Sequence, residues 1–207
     1  MGEQRRDDSW FSALESILAE TAVAVTAARQ SLIKALNDEA AKGWFGFPGV
    51  KLLLAGEVEG WLSQMPALEV EDQFMLAARM ARQNGDVTIP GPHVSEFQAL
   101  HLSSQTPANQ SSTGQQKAML IAVILAHARL QDRRLGRVPV MLFDDVAAHL
   151  DSQRRAALFE AVRCLGGQCW FSGTDGEQFN ELAKTAQFVK ILPAKSAGQS
   201  PVFEVIQ

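Results

Sequence analysis

Pro139-Val-Met-Leu-Phe-Asp-Asp-Val-Ala-Ala-His-Leu-Asp151 reads as a buried strand that ends in two carboxylates. The unbroken apolar run Val138–Phe143 has the composition of a parallel strand covered on both faces. An acid at the C-terminal end of such a strand points into the crevice where α/β sheets bind ligands. Asp144 occupies that place and is a candidate Mg²⁺ ligand, because Mg²⁺ takes hard oxygen donors and keeps several waters. Asp145 faces the other way unless the chain turns there. A second acid beside the metal would orient or deprotonate an attacking water. The same pair can also simply open a loop and cap the helix that follows. Asp151, ahead of Ser152-Gln-Arg-Arg155, can equally be a helix cap.

Upstream, Ser111-Ser-Thr-Gly-Gln-Gln-Lys117 opens a helix predicted over Gln115–Arg134, apolar almost all round from Ala118 to Ala128 and therefore expected to be buried. Exposed amides at a helix start attract anions, and glycine lets a phosphate come close. Ser112, Gly114 and Gln115 are the candidate contacts, with a plain helix cap as the other reading. Downstream, a helix over 152–165, a strand over 168–172, a helix over 176–186 and a strand over 188–192 predict a parallel sheet covered by helices. A loop at 196–200 and a strand over 202–206 follow.

The first ninety residues lack this alternation. A long helix is predicted over 9–42 from Phe11, Leu14, Ile17, Leu18, Val25, Ala28, Leu32 and Leu36. A short strand at 50–56, a short helix or loop at 60–65 and a helix over 71–83 follow, the last ended by Asn84-Gly85. Residues 97–102 alternate like a strand, and 103–112 read as a polar loop. The expected fold class is α/β: residues 1–90 form a mainly helical arm-like domain and residues 91–207 an α/β lobe, with a boundary near 84–95.

A net charge of −4 argues against a uniformly basic nucleic-acid binder. Residues 1–90 carry 8 Lys/Arg against 13 Asp/Glu, while 91–207 carry 11 against 10. Arg129, Arg133, Arg134 and Arg137 cluster late in the long helix, with Arg154 and Arg155 beyond Asp151; they form either a DNA-facing patch or a solvated helix end. Cys164 and Cys169 read as a buried reduced pair, without zinc-ligand spacing to the histidines. No apolar run is expected to span a membrane, and a cytoplasmic protein is predicted.

An anion-binding helix start, a long buried helix, a strand ending in Asp-Asp and a following Leu-Asp resemble the signature motif, Walker B strand and D-loop of ABC-type ATPases. Within that superfamily the chain resembles the RecF family of DNA replication and repair proteins. Gly91-Pro-His93, Ser112–Lys117, Val140–Asp151 and Cys169–Asp175 carry the resemblance, and the helix with Trp10, Leu14 and Arg29 is similar to the family's arm domain. The resemblance implies ATP and Mg²⁺ as cofactors, duplex or gapped DNA and RecO/RecR-type proteins as partners, an ATP-dependent homodimer, recombinase loading and an SOS-response setting. Asp144 would hold Mg²⁺, and Asp145 would be the catalytic acid. Ser112, Gly114 and Gln115 would touch the γ-phosphate bound by the opposite subunit, Asp151 would belong to the D-loop, and Thr174 would take the switch position. The chain departs from the pattern at Val94-Ser95-Glu96, at Thr113 where transporters have glycine, and in having no switch histidine near Thr174.

A Gly-x-x-x-x-Gly-Lys-Ser/Thr loop is absent from the sequence. That loop's amides and lysine hold nucleotide phosphates. The chain is therefore expected to be the C-terminal part of a longer ATPase or a short paralogue, inactive alone. The other readings are a non-catalytic DNA- or protein-interaction module on the same scaffold, and an unrelated Mg²⁺ hydrolase.

Overall fold

A computed structural model describes residues 2–86, 88–192 and 202–205. The chain forms two compact units: residues 1–43 with 48–130, and residues 44–47 with 131–207.

The first unit is built on α1 (Gly2–Ala40), longer than the predicted 9–42 helix at its start. Ala19, Ala22 and Val23 recur on one face and pack with Val58, Val70, Phe74 and Ala78. Those partners come from α2 (Glu57–Leu62) and α3 (Ala67–Asn84). Both helices begin earlier than predicted, because Gly56 and Pro66, in extended conformation, serve as their N-caps. Gly85 ends α3 at φ 76°, as its sequence signal requires. Buried Glu15 of α1 accepts from Arg82 Nε of α3 at 2.9 Å, and the Arg82 guanidinium lies 4.8 Å from the centre of the Phe11 ring.

A three-stranded antiparallel sheet completes this unit. β1 (Val50–Ala55) pairs with β2 (Glu96–His101), Val50 opposite His101 and Ala55 opposite Glu96. β2 then pairs with the short β3 (Thr106–Pro107), inside the segment expected to be a loop. Asn37 of α1 serves the other edge of β1, its amide bonding both the N–H (2.7 Å) and the carbonyl (2.9 Å) of Leu52. Backbone groups of an edge strand need such partners. Because β1 and β2 belong to one sheet, the compact unit runs through the expected boundary near residue 90. It also holds most of α4 (Thr113–Leu135), which buries Met119, Ile121 and Leu125 but leaves Leu120 and Ile124 exposed, so the helix expected to be covered all round is buried on one side only.

The second unit is the α/β part. β4 (Met141–Phe143) and β5 (Cys169–Phe171) pair in parallel, joined by α5 (Ser152–Leu165). One face of the pair is packed: Phe143 and Phe171 stack at 5.0 Å, and Phe159 of α5 meets Phe171 edge-on at 5.2 Å. Gly167 admits Val138, whose Cγ1 would lie 2.4 Å from an added Cβ. The predicted strand at 188–192 exists as β6 (Val189–Leu192), but it does not extend the parallel sheet. It pairs antiparallel with β7 (Val202–Val205), because two sequential strands with a short connection form a hairpin rather than a crossover. The predicted 176–186 helix is a 3-10 helix at Gly176–Leu182. The predicted loop 196–200 lies outside the described residues.

Two further expectations are corrected. Cys164 is exposed, so the cysteines are not a buried pair; both are free. Ser9–Ala40 contains an 18-residue window of mean hydropathy 1.3, so one helix does reach the length and composition of a membrane span. Helices that line a core pass the same test, and α1 packs its Ala19–Val23 face on α3.

Candidate functional site

The chain leaves β4 in a sharp bend at Asp144-Asp145. Asp145 has φ 50°, the left-handed region that non-glycine residues rarely occupy and that Asp tolerates better than most. This turn removes the strand alternation that would have sent the two acids to opposite faces. Ser172, directly after β5, holds the bend. Its backbone N–H donates to the Phe143 carbonyl at 2.9 Å, continuing the β4–β5 ladder. Its hydroxyl donates to Asp144 Oδ1 and accepts from the Asp145 N–H at 3.1 Å. One side chain thus ties the carboxylate of one acid to the backbone of the other.

His149, in the 3-10 turn Ala147–His149, reaches the second acid: its Nε2 lies 3.5 Å from Asp145 Oδ2. The contact is an ion pair only when the imidazole is protonated. Ser172 and His149 were not singled out for these roles from the sequence. Ser172 lies 28 positions from Asp144, and only the parallel register Phe143↔Phe171 brings it to the bend.

With the His149 imidazole beside Asp145, the bend offers three oxygen-bearing groups: the Asp144 and Asp145 carboxylates and the Ser172 hydroxyl. Those are hard ligands of the kind Mg²⁺ takes. Among the described residues no group of three or more His, Cys, Asp or Glu side chains could enclose an ion. Asp151 is the N-cap of α5, accepting from the Arg154 N–H at 2.8 Å. Thr174 is exposed in the bend after β5.

The start of α4, in the first unit, is locally closed. Ser112 Oγ accepts from the Gln115 N–H at 3.3 Å, while Gln115 Oε1 accepts from the Ser112 N–H at 3.1 Å. This reciprocal exchange is a capping box. Gln116 Nε2 adds a bond to the Ala108 carbonyl at 2.7 Å, fixing the preceding turn to the helix. Ser112 and Gln115 therefore already bond each other, and Gly114 follows in the first turn.

Two other predicted features are engaged in structure. Arg129 is not a surface cation: it donates through Nε to buried Glu39 Oε2 at 3.3 Å and through Nη2 to the Glu39 carbonyl at 2.9 Å. Arg133, Arg134 and Arg137 are exposed. In the Gly91-Pro-His93 turn, Arg29 of α1 donates to the Pro92 carbonyl, and the His93 ring would lie 2.8 Å from any Cβ on Gly91. In β5, burial pushes the Cys169 thiol up to about 12.

No family model matches the chain. Two solved structures share its fold, described as the recombination mediator protein RecF with ATPrS and with ATP in the RecFOR pathway. Their TM-scores are 0.64 and 0.66 at 18% and 15% identity, and they cover 83% and 96% of this chain but 46% and 51% of the solved ones. The class is thus the fold of those solved structures, of which the chain carries a parallel strand pair with helices and a long N-terminal helix. In sequence, the chain is 39% identical over 191 residues to the DNA replication and repair protein RecF of Mesorhizobium japonicum, covering 90% of this chain and 50% of that protein. It is 38% identical over 203 residues to the RecF of Rhizobium meliloti, covering 96% and 54%. The match runs over nearly all of this chain's own length, and the chain spans about half the length of the curated relatives it matches.

Proposed function

We propose that the chain is the arm and C-terminal ATPase lobe of a RecF-type DNA repair protein. In this reading the helices of residues 1–90 belong to the arm, and the nucleotide-contacting motifs lie within residues 91–207, some in the first compact unit and some in the second. The whole protein binds duplex or gapped DNA in an ATP-dependent way in the cytoplasm. It loads recombinase there with RecO/RecR-type partners and hydrolyses ATP at a homodimer interface. The observation that supports this best is the Asp144-Asp145 bend, held by Ser172 at the C-terminal end of a parallel strand, in a chain related to RecF.

Bound Mg²⁺ would supply charge neutralisation at the nucleotide phosphates. Asp144 would hold the ion with the Ser172 hydroxyl beside it. Asp145 would orient the attacking water, with the His149 imidazole beside its carboxylate. Ser112, Gly114 and Gln115 would meet the γ-phosphate of the opposite subunit. For the two side chains, this requires the capping box to open. Asp151 belongs to the D-loop and Thr174 to the switch.

The test is ATP turnover by this chain mixed with a separately produced phosphate-loop half of a RecF relative. Turnover absent from each part, present in the mixture and lost in Asp145→Asn is the expected result. The self-bonded Ser112–Gln115 pair favours a second reading, a non-catalytic DNA- or protein-interaction module on this scaffold. DNA binding by the mixture, without turnover under any condition, would establish that reading instead.

A further inference from the structure

At one corner of the first unit, α1 and the β1–β2 sheet do not close on each other. Between them lies a cavity of about 340 Å³, lined by Arg29, Leu32 and Ile33 of α1, Leu54 of β1, Ser95 just before β2, and Phe97. Leu54 and Phe97 are register partners, so their side chains share one face of the sheet. Phe97 is 58% exposed and Leu32 43%, so the apolar lining stands open to solvent. Arg29 is the one charged residue in that lining. Its bond to the Pro92 carbonyl anchors it and leaves further N–H groups of the guanidinium fork for a carboxylate. Ser95 donates to Oε1 of buried Glu59 at 2.6 Å, which leaves its own oxygen to accept. Glu96, next to Phe97, lies on the opposite face of the strand, where Gln98 Nε2 donates to it at 2.7 Å.

The cavity adjoins an open strand edge. The Leu102 N–H donates to the Gly49 carbonyl at 2.9 Å, which fixes the alternation of the β1–β2 ladder. Backbone groups of Glu96, Gln98 and Leu100 turn toward β1, and those of Phe97, Ala99 and His101 turn away from it. On that far side β3 meets only Leu100 and His101. Among the described residues no strand pairs with β2 beside Phe97 and Ala99. We infer that this corner binds an extended peptide segment of a partner protein, added as a strand beside Phe97 and Ala99, with a large apolar side chain in the cavity and an Asp or Glu on Arg29. In strand addition, main-chain bonds supply affinity and alternate side chains supply choice. Side chains of an added strand alternate, so the acid and the apolar residue stand two positions apart and face α1 together. A cationic lining without an acid selects the carboxylate. This inference does not use the nucleotide chemistry, and absence of ATP turnover in every mixture would leave it standing.

The probe is a fluorescein-labelled peptide, Thr-Asp-Thr-Phe-Thr-Val-Thr with blocked ends, titrated onto this chain and read by fluorescence polarisation. Saturable one-to-one binding is expected. Arg29→Gln and Phe97→Thr should each weaken it at least about tenfold, and Arg29→Lys, which keeps the charge, should weaken it less than Arg29→Gln. Gln98→Thr, on the opposite face of β2, should leave it unchanged. A peptide methylated at the backbone nitrogens of Asp, Phe and Val should not bind, because it cannot pair with the edge. No saturation at about 1 mM peptide would overturn the inference. So would indifference to Arg29→Gln or to Phe97→Thr, equal binding of the methylated peptide, or equal binding of a peptide with Lys in place of Asp. Displacement of the peptide by a duplex oligonucleotide would overturn it as well, by assigning Arg29 to phosphate.

Discussion

The start of α4 and the end of β4 carry the two halves of the expected nucleotide chemistry, and they are held in opposite ways. At α4, Ser112 and Gln115 satisfy each other across three residues, so the geometry is local. At β4, Asp144 and Asp145 depend on Ser172 from another strand and sit on a left-handed residue, so the geometry is tertiary. A helix cap forms wherever its helix forms. An acid bend of this kind exists only while the parallel pair beneath it is intact.

That contrast can be broken experimentally, starting with the largest effect. Phe143→Ala removes a buried ring under the bend and is expected to cost about 3–5 kcal/mol. The urea midpoint should fall, and Asp145 amide protection should vanish while the first turn of α4 keeps its own. Equal losses at both places would end the distinction. Next, Ser172→Ala removes the acceptor of the Asp145 N–H and the donor to Asp144. Water can replace both at this exposed position, so the expected cost is roughly 1 kcal/mol. Faster hydrogen exchange at Asp145 alone is the specific sign, and Ser172→Thr should restore protection.

Ser112→Ala should cost about 1 kcal/mol or less, confined to exchange in the first turn of α4, with little added by Gln115→Ala because the box acts as one unit. An effect of Ser112→Ala on Asp145 would contradict the local character of the cap. The smallest effect is that of the Cys169 thiol. Its folded value is raised to about 12 from an ordinary value of 9.0, so folding disfavours the thiolate. The corresponding stability is complete below about 9 and declines as pH rises towards 12. At pH 8, iodoacetamide should label exposed Cys164 and leave Cys169 until the chain unfolds.

Much of this was legible from local pattern. The Gly85 stop, the buried face of α4, the acids at a strand end and the cap at Asp151 each follow from residues within a few positions of one another. The left-handed turn at Asp145 was foreseeable only as a condition, since a strand continuing straight would have split the pair. Arg129 was misread because an arginine in a basic cluster looks like surface, and nothing nearby announces Glu39, 90 positions earlier. The 188–192 strand was assigned to the parallel sheet because an apolar run shows that a strand exists but not which edge it joins.

By itself, then, the sequence determined most of the helices and strands, though not β3 or the early start of α1, and that paired carboxylates close an apolar strand, though not that only one face of it is covered. Those are decisions of backbone propensity, capping and hydrophobic period, all short in range. Only the tertiary structure decided that β1 joins β2 across the expected domain boundary, that Ser172 clamps the acid bend, and that Leu142 and Trp170 stand exposed. Each of these depends on strand pairing between distant segments, where register and burial are set by the whole fold.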